Sequence, residues 1–282
     1  MKISAITTGV RAAGGVLDRI VKAKAERLEQ SKCAAPLEQV VDEARRMIST
    51  RRAASLERAL SNTGRVNVIA EVKHRSPSKG IIREDFDPVM IAKSYGEGGA
   101  AALSVLCEED FFGGSLAHLE AVRKEVDLPL LRKDFIFDEY QIHESVRASA
   151  DAVLLIVAIL EDELLARLIE LARRLRIDAL VEVHSIEEME RAKKAGAKII
   201  GVNNRDLTTF AVDLSASVEL APLAPEGSIL VSESGINSPS DIQKLRAAGF
   251  HAFLIGEHFM RAADPGNALQ SMIAGCEIGG SV

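Results

Sequence analysis

The sequence predicts an α/β protein: a (β/α)8 barrel preceded by a helical extension. Three observations predict it. From Val66 onward, short apolar segments alternate with amphipathic ones. The apolar segments are non-polar nearly throughout, the mark of parallel strands covered on both faces. And a similar phrase recurs wherever a helix hands over to the next strand, as if one module were reused.

The strand segments are 66–72, 101–106, 128–132, 152–157, 178–183, 198–202, 228–232 and 252–255. Eight such strands, each followed by a helix, close a barrel of the TIM type. An open doubly wound sheet is the alternative, but it would open on a GxGxxG turn, which Lys73–Gly80 is not. The recurring phrase reads Gly98-Gly99-Ala100-Ala101, Ser149-Ala150-Asp151-Ala152, Ala195-Gly196-Ala197-Lys198 and Ala248-Gly249-Phe250-His251. Between the strands, Leu164, Leu165, Leu168, Leu171, Ala172 and Leu175 form a helical stripe. Asp87-Pro88 and Ser238-Pro239 place a cap residue before a proline at the first helical position. Ser185 with Glu188 has the spacing of a capping box, and Gly196 follows that helix.

Ahead of the barrel the pattern is wholly helical. Leu17, Ile20, Val21 and Leu28 predict a helix over 16–31. Pro36 opens a second, continued by Val40, Val41, Ala44 and Ile48, and a third covers 55–61. Residues 1–13 read as loose. The division is therefore 1–65, extension, and 66–282, barrel, the two forming one structural domain.

Composition narrows the function. A net charge of -6, no Trp and two Tyr argue against a nucleic-acid partner. The basic pairs Arg45-Arg46, Arg51-Arg52 and Arg173-Arg174 lie among acidic residues and read as solvated helix faces. Cys33, Cys107 and Cys276 are widely spaced, with no CxxC, and the six histidines show no HExxH. The longest apolar run, Ala152 to Leu160, is too short to span a membrane, and the start lacks a signal peptide's apolar region. The expectation is a cytoplasmic protein with no metal, no cofactor, no membrane and no nucleic acid.

Barrel enzymes carry their chemistry at the carboxyl ends of the strands. Here those ends hold Glu71 and Lys73, then Lys133, Glu182, Asn203 with Arg205, Glu233 with Ser234 and Gly235, and Gly256 with Glu257. Glu71 and Lys73, two apart on one strand, project to the same side. A single charge at a strand end means little, but polar groups at six of the eight ends of apolar strands do not read as a mere rim of ion pairs. Ser234-Gly235 and Gly256-Glu257 fall where such barrels seat a phosphate, with Glu257 serving through its backbone N–H.

These residues resemble the indole-3-glycerol phosphate synthase family of tryptophan biosynthesis. The resemblance runs from about Val16 to the last helix. It is carried by Leu17-Asp18-Arg19-Ile20, Glu71-Val72-Lys73 with Ser76-Pro77-Ser78-Lys79-Gly80, Ala102-Leu103-Ser104-Val105-Leu106 and Phe111-Phe112-Gly113-Gly114-Ser115. It continues through Leu131-Arg132-Lys133-Asp134-Phe135, Glu182-Val183-His184, Asn203-Asn204-Arg205-Asp206-Leu207 and Ser232-Glu233-Ser234-Gly235-Ile236. The resemblance implies a helical extension lying over the barrel mouth. It also implies a carbon-carbon lyase that converts 1-(2-carboxyphenylamino)-1-deoxyribulose 5-phosphate to indole-3-glycerol phosphate, carbon dioxide and water.

Such a reaction needs an acid on the ketone during ring closure. The iminium formed by closure is then an internal electron sink for decarboxylation, without pyridoxal phosphate or a metal. By resemblance, Lys133 and Lys73 are the general acids and Glu182 the base. Glu71 holds a lysine, and Asn203 and Glu233 orient substrate hydroxyls or a catalytic partner. Arg205, Ser234 and Ser76 bind polar or phosphate groups. Leu106, Phe112, Phe135 and Leu154 wall the aryl ring. His184 lies on the same side as Glu182 but reads as an ordinary satisfied polar residue. Phosphoribosylanthranilate isomerase, a Schiff-base aldolase using Lys133, and a non-catalytic phosphosugar binder are the rival readings. The chain ends soon after the eighth unit, so no fused isomerase domain is expected.

Overall fold

The computed structural model describes residues 8–50, 54–206 and 209–278. Arg51, Arg52, Leu207 and the first part of the segment expected to be loose lie outside the described residues.

Eight parallel strands close a barrel in sequence order: β1 Asn67–Val72, β2 Ala102–Leu106, β3 Leu130–Lys133, β4 Ala152–Ile156, β5 Asp178–Val183, β6 Ile199–Asn203, β7 Ile229–Glu233 and β8 Ala252–Ile255. Closure is made by β8 on β1, where Asn67 pairs with Ala252 and Ala70 with Ile255. Helices follow each strand: α4 Pro88–Glu97, α5 Leu116–Arg123, α6 Glu139–Arg147, α7 Asp162–Arg174, α8 Ile186–Lys194, α9 Ser215–Leu220, α10 Pro239–Ala247, and after β8 the pair α11 Glu257–Met260 and α12 Pro265–Ile278. β1, β2 and β4 are buried at every position, as the unbroken apolar runs require.

The recurring phrase has a physical cause. Gly99, Gly196 and Gly249 take positive φ just past a helix, and the following N–H reaches back to the last turn: Ala100 to Tyr95 O at 3.0 Å, Ala197 to Ala192 O at 3.0 Å, Phe250 to Leu245 O at 3.0 Å. Ser149 and Arg176 hold the same conformation without glycine, at φ 65° and 56°. Asp87 and Ser238 cap their helices as the sequence predicts, and Ser238 and Asp241 form a full capping box. Ser185 corrects its expectation by half. Its hydroxyl accepts from Glu188 N–H, but the Glu188 carboxylate turns to the N–H of His184 instead of closing the box.

The extension wraps the barrel from one pole to the other. Its first helix, α1 (Gly15–Ala34), lies over the mouth, where Val16, Leu17 and Ile20 line the cavity described below. Buried Lys24 pins it, 2.8 Å from Asp134 at the end of β3, and Asp134 also pairs with buried Arg132 at 2.8 Å. The next helix, α2 (Leu37–Thr50), runs along α6. The short α3 (Leu56–Leu60) then sits at the opposite pole. There Asp178, which begins β5, accepts from Glu57 N–H at 3.0 Å, and Asn67, which begins β1, donates to Leu60 O at 2.9 Å. Among the described residues of the extension, covering the mouth is thus the task of α1. Residues 9–11 are not loose: Arg11 N–H donates to Ile159 O at 2.9 Å, and Glu161 N–H to Gly9 O at 2.7 Å. Among the described residues no helix is long and apolar enough to cross a membrane.

Candidate active site

Side chains that point into a barrel form layers of four drawn from alternate strands, usually branched and apolar. At the carboxyl end the odd strands break that habit. β1, β3, β5 and β7 contribute Glu71, Lys133, Glu182 and Glu233. Lys133 Nζ lies 3.0 Å from Glu182 Oε2 and 2.5 Å from Glu233 Oε2. Just beyond β1, Lys73 donates to Glu71 Oε2. Asn203 Nδ2 donates to Glu182 Oε1 at 3.2 Å.

Burial sets the electrostatics. On its own it would strip the proton from Lys133, but Glu182, Glu233 and Glu71 outweigh it and hold the ammonium well above its ordinary pKa. For Glu182, burial pushes upward, yet Lys133 and then His184 outweigh it and keep the carboxylate ionised. Glu233 goes the other way. Burial, together with the negative charge of Glu182, outweighs Lys133 and pushes its pKa up to about 7. Two carboxylates share one ammonium, so one of them is driven toward the protonated form. Glu233 Oε1 has no partner among the described residues and is free for a ligand, as is the buried Ser76 Oγ.

Two glycines make room for this layer. A Cβ on Gly201, in the middle of β6, would stand 2.1 Å from Glu233 Oε1, and one on Gly256 would stand 2.3 Å from Glu71 Oε2. The layer forms the floor of a cavity of about 960 Å³. Its wall includes Leu106, Phe112, Phe135 and Leu154, with Phe112 and Phe135 6.1 Å apart between ring centroids. Ser76, Arg205, Ser234, Gly235, Gly256 and Glu257 line it as well, so every site residue singled out from the sequence faces one cavity.

At the polar end, Ser234 and Gly235 take consecutive left-handed conformations, φ 67° and 81°. Glu257 lies at the start of α11, whose first N–H groups have no acceptor within the helix. Its carboxylate draws in guanidiniums, Arg261 at 3.1 Å and Arg205 at 3.8 Å.

Sequence reasoning missed three contributors. His184, on the Glu182 side as expected, has Nε2 3.3 Å from Glu182 Oε1 and Nδ1 3.2 Å from Glu188 Oε2, which ties the floor of the cavity to a carboxylate outside it. Glu108 is fully buried and accepts from the N–H groups of Asp110, Phe111 and Phe112, fixing the loop that presents Phe112. Gly201 reads only as a weak point in a strand, the usual sign of a close approach. Cys107 is buried, does not line the cavity, and has its pKa pushed up by burial. Among the described residues no group of three or more His, Cys, Asp or Glu is arranged to hold a metal ion.

A family model described as indole-3-glycerol phosphate synthase matches residues 17–272. Among curated proteins, the indole-3-glycerol phosphate synthase of Carboxydothermus hydrogenoformans is 49% identical over 262 residues, 92% of this chain and 99% of its own. That of Variovorax paradoxus is 46% identical, covering 91% of this chain and 98% of its own. Among solved structures, the thiamine phosphate pyrophosphorylase of Pyrococcus furiosus superposes with a TM-score of 0.59 at 17% identity, over 79% of this chain and 98% of its own, a likeness of fold alone.

Proposed function

The chain belongs to the indole-3-glycerol phosphate synthase family, and from that premise we propose how its rim performs the reaction. The enzyme closes the pyrrole ring of 1-(2-carboxyphenylamino)-1-deoxyribulose 5-phosphate, expels carbon dioxide and water, and releases indole-3-glycerol phosphate. The observation that carries the assignment of roles is Lys133, a buried ammonium between two carboxylates on the floor of the cavity.

The aryl group lies against Leu106, Phe112, Phe135 and Leu154, and the phosphate at the opposite end, against the N–H groups of Gly235, Gly256 and Glu257 with Ser234, Ser76 and Arg205. Lys133 and Lys73 are the general acids. One protonates the ketone oxygen while the aryl carbon attacks; one protonates the hydroxyl that leaves as water. Glu71 orients Lys73, and Glu233 orients Lys133. Glu182, ionised and steadied by Asn203, is the base that takes the ring proton during dehydration. Its low proton affinity is what the resting site shows; once Lys133 has given up its proton, that restraint is gone and Glu182 becomes a competent acceptor.

The substrate is a small phosphosugar. The three free cysteines suit a reducing cytoplasm. The extension and barrel act as one structural domain, since Leu17, Ile20 and Leu28 join the same buried cluster as the strands. The test is fluorescence-monitored indole formation from the carboxyphenylamino-ribulose phosphate. Product formation by the wild type supports the reading; none at all removes it.

A further inference from the structure

The proton balance of the reaction leaves a question that the cavity alone does not answer. The substrate carboxylate is ionised near neutral pH. One proton goes to the ketone oxygen as the carbon-carbon bond forms. The bond to the carboxylate then breaks, and its electron pair neutralises the iminium. A second proton converts the hydroxyl to water, and one proton returns to the protein from the ring carbon. Each turnover therefore takes one proton from solvent. It must reach a lysine whose side chain is 14% exposed, beneath a substrate and the apolar residues of α1.

A second cavity supplies a side entrance. It has a volume of about 670 Å³, lies beside the first on the β5 and β6 side, and is lined by Arg11, His184, Glu188, Asp206 and Asp213 among others. From it a chain of ionisable groups leads inward. Glu188, 18% exposed, has Oε2 3.2 Å from His184 Nδ1. His184 Nε2 is 3.3 Å from Glu182 Oε1, and Glu182 Oε2 is 3.0 Å from Lys133 Nζ. At rest Nε2 has no aligned acceptor among the described residues. The transfer therefore requires the ring to turn into line with Oε1.

We propose that Glu188 and His184 form a proton relay that recharges Lys133 through Glu182 from the second cavity. The inference rests on reading Lys133 as a general acid. After Lys133 has spent its proton, the His184 imidazolium gives its Nε2 proton to Glu182, which passes it to the neutral amine. His184 is then neutral, its remaining proton on Nδ1 held by Glu188, and it regains the Nε2 proton from water when the ring turns into the second cavity, which it lines. No bond other than N–H and O–H is made or broken. The end points favour the transfer. Burial would leave His184 neutral, but the two carboxylates outweigh it and raise its pKa to about 10. Lys133 is held above its own ordinary value of 10.5 and draws the proton on. Glu188 also accepts from His184 N–H at 2.8 Å, which fixes the outer link.

The test is turnover in weak buffer, read by product fluorescence. His184→Ala is expected to lose about ten-fold or more in kcat, a fraction of the ~10²–10⁴ that a direct proton donor supplies, with KM little changed. Added imidazole, which fits the space vacated, should restore kcat saturably, while the wild type ignores it. Glu188→Gln keeps the imidazole and breaks only the outer link. It should show the same dependence on buffer concentration, and it carries the test if His184→Ala does not fold. A loss that neither imidazole nor buffer relieves would mean that His184 only props Glu182, and would overturn the relay. Undiminished kcat in both variants would overturn it too. A wild type that forms no product would instead remove the reading of the function on which the relay rests.

Discussion

Gly201 leaves the space that Glu233 fills: a Cβ on the one would fall 2.1 Å from Oε1 of the other. The carboxylate is 1% exposed and has nowhere to retreat except toward Lys133 or into the cavity. Gly201→Ala is therefore expected to displace Glu233 and misplace the Lys133 ammonium. Turnover should fall by roughly 10², and overpacking should cost about 1–3 kcal/mol of stability. Steady-state kinetics and urea unfolding check both.

Lys133→Ala should abolish most turnover, by about 10²–10⁴, with the barrel still folded. Its stability should depend on pH in a telling way. Without the ammonium, Glu182 and Glu233 face each other with burial pushing both upward. Folded pKa values above the unfolded ones mean that the folded state binds more protons, so stability falls as pH rises past the carboxylate range. The deficit in Tm against wild type should be larger at about pH 8 than at about pH 5. A pH-independent deficit would contradict the account.

Glu233 and His184 act with the same sign in two different pH windows in the wild type. For Glu233, pushed up from 4.5 to about 7, stability declines as pH climbs between those values, and Glu233→Gln should lack that decline. For His184, raised from 6.5 to about 10, the stabilisation is complete below 6.5 and is lost as pH rises through about 10. The Tm difference between wild type and His184→Gln should shrink across that upper range. Thermal melts across the two windows separate the groups.

Asp134 holds the cations Lys24 and Arg132, each at 2.8 Å, in a fully buried position. Asp134→Ala leaves two buried positive charges facing each other and should cost about 3–5 kcal/mol. Because Lys24 belongs to α1, whose residues line the mouth, KM should rise as well. Denaturant unfolding and substrate titration read the two effects.

All eight strands were readable because parallel strands buried on both faces leave an unbroken apolar signature, and the helix stops were readable because Gly99, Gly196 and Gly249 meet a demand for positive φ. The rim was readable for a related reason: Glu182 or Lys133 at the end of an apolar strand has no packing explanation. What stayed hidden needs three dimensions. Glu188 looks like half of a capping box until its carboxylate is seen against His184. Gly256 reads as a source of a backbone N–H, while the structure also shows its missing side chain making way for Glu71. The seat of α3 is set by Asp178, 121 residues beyond Glu57, a separation that no local pattern reports.

That last separation bears on how the molecule is made. Ribosomes deliver α3 long before β5, so the peptide that ends up beneath the barrel emerges with only Asn67 of these anchors close behind it and must wait for more than a third of the polypeptide before Asp178 follows. Docking of this foot belongs among the late events of assembly, since contacts distant in sequence are slow to close. Nascent chains halted before Asp178 should therefore expose Leu56 and Leu60, both fully buried in the finished protein, to whatever chaperone stands at the exit tunnel.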